Sequence, residues 1–78
     1  MAAVQLLELI AGTLGVAPTE VNEASEASNT RKWDSMRHLM LITELESTYG
    51  ILLSDQEIME AVSVARIRAL LHRHGVTP

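Results

Sequence analysis

Trp33-Asp34-Ser35-Met36-Arg37-His38-Leu39-Met40-Leu41-Ile42-Thr43-Glu44-Leu45-Glu46-Ser47-Thr48-Tyr49-Gly50 is the stretch on which the reading of this chain turns. Asp34 is suited to cap a helix, because its carboxylate accepts orphan backbone N–H groups and complements the positive helix end. The helix it opens runs to about Tyr49, and Gly50 is a natural stop. Leu41, Ile42, Leu45 and Tyr49 recur at helical spacing and are assigned to a core. Met36, Leu39 and Met40 form a second apolar patch near the helix start. One small core cannot bury both, so this patch is expected at the surface, as a partner-docking face.

Outward from this helix the pattern is also helical. Residues 2–14 carry Val4, Leu7, Ile10 and Leu14 as an apolar stripe widened by Leu6, with Gly15 as the stop. Residues 16–33 lose the periodicity and are rich in Ser, Asn, Thr and Ala around Pro18. So long a loop in so short a chain is functional or disordered, and Val16, Val21 and Trp33 are its expected anchors on the core. After an apolar connector at 51–54, Ser54 with Glu57 makes a capping box for a short helix over about 55–61. Ser63 caps a last helix over about 64–74, with the stripe Val64, Ile67, Leu70 and Leu71. The predicted fold class is all-α: a small four-helix bundle of three longer helices and one short one, in a single domain spanning 1–78.

Composition bounds what such a bundle can do. The chain has 78 residues, a net charge of −4, no cysteine and a single tryptophan. An acidic chain does not track a phosphate backbone, so nucleic acid is not an expected partner. The lack of cysteine excludes a disulfide scaffold, a thiolate metal site and a thiol nucleophile. No run approaches the roughly 18 apolar residues of a membrane span, and the N-terminus has no cationic signal-peptide start. A cytoplasmic, monomeric chain is expected.

Catalytic groupings are weak. His72 and His74 lie two apart on a helix, diverge, and read as solvated last-turn residues that complement the dipole rather than a metal pair. His38 follows Ser35 by three residues, but no third group is there to orient it, and it reads as a surface histidine. Glu44 and Glu46 diverge, and Glu57 and Glu60 read as solvated carboxylates. The chain is not expected to be an enzyme, and no metal is expected.

Trp33-Asp34-Ser35-Met36, followed by Leu39-Met40-Leu41-Ile42-Thr43-Glu44-Leu45-Glu46, resembles the acyl carrier protein family, whose Asp-Ser-Leu motif carries 4′-phosphopantetheine on its serine. The likeness extends over most of the chain: a first helix with its long loop, a motif helix ending Glu-x-x-Tyr-Gly-Ile, a short helix after Ser-Asp, and a closing Ser-Val-x-x-Ile helix. It implies that Ser35 is the attachment residue and that Asp34 is read by a phosphopantetheinyl transferase. It implies that Met36, Arg37, Leu39 and Met40 face partner enzymes, and that Leu53, Ile58 and Val62 border a cleft for the acyl chain. The implied partners are the transferase, an acyl- or aminoacyl-loading enzyme, and a downstream synthase or transferase. Three features depart from the family. Lys32 stands where glycine commonly lies two residues before the aspartate, Arg37 and His38 occupy a turn that is typically acidic, and no Gly-Gly-x-Ser run of the peptidyl carriers is present. These departures resemble discrete carriers of polyketide, nonribosomal or other specialised pathways, with a loading enzyme that offers an acidic or apolar surface opposite Arg37. A start at Met1 and a stop soon after the last helix imply a free-standing protein. The alternatives are a carrier of the general fatty-acid synthase and a helical adaptor that docks through the same patch without a prosthetic group.

Overall fold

The last three helices each begin where a side chain takes up orphan backbone donors, and that sets the architecture. The computed structural model describes the backbone of residues 2–78 and the side chains from Gln5 onward. Four helices, α1 (Ala2–Leu14), α2 (Ser35–Tyr49), α3 (Asp55–Glu60) and α4 (Val64–Arg73), form a small bundle. Asp34 Oδ1 accepts from the Arg37 N–H at 2.8 Å, and Ser63 Oγ accepts from the Arg66 N–H at 3.1 Å. Ser54 and Glu57 close a reciprocal capping box on α3, as their spacing predicts. Gly50 ends α2 in the left-handed conformation, at φ 65°. The short helix stops at Glu60 and the last at Arg73, one residue before each expected end, because Ala61 and His74 leave the helical region as caps.

The core lies between α1, α2 and α4. Leu6, Ile10 and Leu14 of α1, each four residues from the next, are fully buried against Leu41 and Leu45 of α2 and Ile67 and Leu71 of α4. Each such side chain contributes roughly 1.5–3 kcal/mol by leaving water. The α1 stripe is therefore centred on Leu6 rather than Leu7, which is half-buried at its edge. The side chain of Val4, also expected in the stripe, lies outside those described. The four stripe residues of α4 are all buried, and Tyr49 packs on the core half-buried.

The long loop is ordered rather than slack. Val21 and Trp33 are buried in the core and Val16 packs against it, as expected. A single 3-10 turn forms at Pro18–Glu20. Two backbone bonds then pin the loop across the start of α4, Ala27 N–H to the Val62 carbonyl (2.8 Å) and Val64 N–H to the Ser25 carbonyl (2.9 Å). Bidentate ion pairs Arg31–Glu20 and Arg68–Glu23 add exposed clasps, each of the sort that contributes at most about 1 kcal/mol. Among the described residues no helix is long and apolar enough to cross a membrane.

Polar pairing fastens the small α3. It buries no side chain fully, but Glu57 receives Arg73 and His74 from the end of α4, at 3.4 and 3.0 Å, and Glu60 meets Arg73 at 3.8 Å. Glu57 and Glu60 are therefore partnered rather than merely solvated, and His74 is a hydrogen-bond partner of Glu57. The Ser54 backbone N–H, and after it His74, hold the Glu57 carboxyl below its ordinary range. A group with a lowered folded pKa contributes stability that is complete above its unfolded value and is lost as pH falls through the folded one. Glu57→Gln retains the capping geometry but not the charge. Urea midpoints across acid pH should show wild type ahead of Glu57→Gln near neutrality. The two should converge below the ordinary glutamate range, and a gap that is constant with pH would contradict this account.

Candidate functional site

The start of α2 and the end of α3 leave a groove between them, walled on its far side by the pinned loop. Its volume is about 490 Å³, and it is lined by Ala27, Trp33, Asp34, Ser35, His38, Leu39, Ile58, Met59 and Val62. Ser35 is the first residue of α2 and is exposed at this groove. Its hydroxyl differs from those of the serines that serve the backbone. The Ser54 and Ser63 hydroxyls accept N-cap bonds, and the buried Ser25 hydroxyl accepts from the Asn22 N–H. At α2 the cap comes from the neighbouring Asp34, so Ser35 Oγ is left uncommitted among the described hydrogen bonds.

Met36, Leu39 and Met40 are exposed at 72%, 59% and 47%, while Leu41, Ile42 and Leu45 of the same helix are buried. The division of this helix into an inner and an outer apolar face is thus observed. Of the three residues expected at the cleft, Ile58 and Val62 line the groove and Leu53 does not. Residues 51–53 lie outside any helix, and here Leu52 is 80% exposed while Leu53 is buried in the core at 7%. The Glu46 carboxylate fixes this connector by accepting the Leu53 N–H at 2.9 Å. Met59, 78% exposed on the rim, was not expected there.

Two cations, Arg37 of α2 and Lys32 of the loop before it, reach back to the end of α1. Arg37 turns to α1 and donates from Nη1 to the Thr13 carbonyl at 3.0 Å. A Cβ on Gly15, which sits at φ 74°, would come within 3.1 Å of that nitrogen. Lys32 Nζ reaches the Gly15 carbonyl at 3.3 Å. The physical reason is that α1 has no basic residue in its last turn, so its negative end recruits cations from the loop and α2. Arg37 is therefore a half-buried strut rather than a free docking charge. Arg37→Glu should lower stability by about 1–2 kcal/mol, since it removes a charge-assisted bond and puts an acid at a helix C-terminus. Urea unfolding measures this, and an unchanged midpoint would return Arg37 to the surface role.

His38 is likewise not a plain surface residue. Its Nδ1 accepts from the Trp33 indole N–H at 3.1 Å, and its Nε2 lies 2.8 Å from the Ile58 carbonyl. The two rings stack with centroids 6.3 Å apart. Both nitrogens are committed, so neither is free to serve Ser35 as a base. The available signal was Trp33 itself, a tryptophan anchored from a polar loop whose N–H needs a buried partner. Among the described residues no three His, Asp or Glu side chains group as metal ligands.

With Arg37 and His38 both engaged inward, the outward first turns of α2 present Met36, Leu39, Met40 and the exposed acids Asp34 and Glu44. Such a surface suits reversible docking to an apolar pocket with a basic rim. No model of a known protein family matches the chain, and comparison with curated proteins finds no match.

Proposed function

We propose that this chain is a non-catalytic carrier that holds an acyl or aminoacyl group on a 4′-phosphopantetheine arm attached to Ser35. The observation that carries the reading is an exposed, uncommitted serine hydroxyl behind a helix-capping aspartate at the mouth of an apolar groove. Lys32 adds support. It adopts φ 69°, the left-handed conformation that glycine takes without cost, at the position where the carrier family commonly has glycine. The departure there is in the side chain and not in the backbone.

The residues present fit such an arm. Ser35 Oγ would take the phosphate ester, beside the positive end of a 15-residue helix that favours an anion. When bound, the arm supplies a thiol that holds the cargo as a thioester. The chain itself does three things: Asp34 fixes the helix start, Leu39, Ile58, Met59 and Val62 shelter apolar cargo, and Met36, Leu39 and Met40 offer a docking face. A flexible tether raises the local concentration of the intermediate at each partner's active site. The partners in this reading are a phosphopantetheinyl transferase, a loading enzyme and a downstream synthase or transferase. They are placed in a specialised cytoplasmic pathway. The inward turn of Arg37 removes the reason to expect an acidic surface on the loading enzyme.

The test is intact mass after incubation with coenzyme A and a broad-specificity phosphopantetheinyl transferase. A gain of one phosphopantetheinyl group is expected. No gain with several transferases would favour the adaptor reading, in which the exposed Met36–Met40 face docks without a prosthetic group.

A further inference from the structure

We propose that His38 is the specificity-determining residue of the groove, latching α2 to the end of α3 across the groove floor and confining a bound chain to the surface. The tryptophan N–H can only donate and the Ile58 carbonyl can only accept. Both bonds to the ring are satisfied together only by the neutral imidazole with its hydrogen on Nε2. One side chain thus joins the loop, the first turns of α2, and α3.

Position within the groove follows from exposure. Leu39, Met59 and Val62 are exposed and form the rim, whereas Trp33 is 7% exposed and His38 and Ile58 are half-buried below them. The latch therefore lies between the rim and the core. It matters because α3 is six residues long and buries none of them fully. Polar tethers hold it on two sides, His38 from α2 and the Arg73 and His74 pairs from α4. While His38 holds Ile58, α2 and α3 cannot part to admit a long chain toward Leu41 and Leu45. Short or surface-lying apolar cargo fits this geometry, and cargo that must insert deeply does not. The identity of the cargo rests on the carrier reading; the latch does not.

The first arm of the test uses the unmodified chain and a neutral apolar dye, N-phenyl-1-naphthylamine. Wild type should bind it weakly, with methyl shifts confined to Leu39, Met59 and Val62. His38→Ala should bind it about tenfold more tightly and shift buried core methyls as well. His38→Gln keeps one acceptor and one donor and should behave as wild type. Should His38→Ala fail to fold, Trp33→Phe, which removes one of the two bonds, should give an intermediate gain. Nitrogen-15 spectra of wild type should report the Nε2–H tautomer. Equal dye affinity in wild type and the folded latch variant, or an Nδ1–H tautomer, would overturn the proposal. A second arm loads Ser35 from acetyl-, hexanoyl- and decanoyl-coenzyme A. Melting temperature should rise with chain length in His38→Ala and stay flat in wild type. Failure to load would count against the carrier reading, while the dye arm still decides the latch.

Discussion

Leu45→Ala should remove about 2–5 kcal/mol of stability and leave the chain largely unfolded at modest urea. Leu45 is 1% exposed, in the middle of α2, where α1 and α4 close over it. Its loss removes a transfer contribution and leaves a cavity that three packed helices can only partly fill. A chain of this length has a total stability of roughly 4–12 kcal/mol, so the loss is a large fraction of the whole. No disulfide holds the folded chain together, since the sequence has no cysteine. Met40→Ala, five residues earlier on the same helix, acts on a side chain that is 47% exposed, and should cost only about 0.5 kcal/mol. Urea unfolding of the two variants side by side checks the contrast. Comparable losses would mean that α2 does not divide into a core face and an outer face.

That division was readable because it rests on local rules. Leu41, Ile42 and Leu45 follow helical spacing, and Asp34, Ser54 and Ser63 each sit where a side-chain oxygen can reach an N–H in the next turn. Helix boundaries consequently came out within a residue. What the sequence hides is long-range polar pairing. Arg37 belongs to the outer face of α2 by sequence proximity, yet Thr13 lies across the bundle and its carbonyl has no cation of its own helix to meet. His38 looks like a surface histidine until the loop folds back and brings Trp33 to one ring nitrogen and Ile58 to the other. Leu53 illustrates a different limit. It is one residue from the most exposed leucine in the described chain, and only the path of the connector, held by Glu46, decides which of the two turns inward. The groove was therefore legible in its walls, Ile58 and Val62, but not in its floor.

The largest functional effect is expected at Ser35. Ser35→Ala should abolish transfer of phosphopantetheine from coenzyme A while leaving helicity and urea midpoint within about 0.5 kcal/mol of wild type, because Ser35 is exposed and the cap of α2 is made by Asp34. In the transfer, Ser35 Oγ forms the new bond to the pantetheine-side phosphorus, the pyrophosphate bond of coenzyme A breaks, adenosine 3′,5′-bisphosphate leaves, and the hydroxyl proton passes to the transferase. Asp34 needs a subtler variant. Asp34→Ala would confound two losses, since removing an N-cap costs about 1 kcal/mol on its own. Asp34→Asn keeps a capping oxygen and drops the charge, so stability should hold while loading slows if the transferase reads the carboxylate. Intact mass against time, with circular dichroism on the same samples, separates the outcomes. Persistent modification of Ser35→Ala would move the attachment to another hydroxyl. The Ser25, Ser54 and Ser63 hydroxyls would each have to give up a bond to a backbone N–H to accept it. That energetic distinction sets Ser35 apart from these three hydroxyls, and its place at the groove behind the capping Asp34 sets it apart from Ser47, whose hydroxyl is equally uncommitted among the described hydrogen bonds.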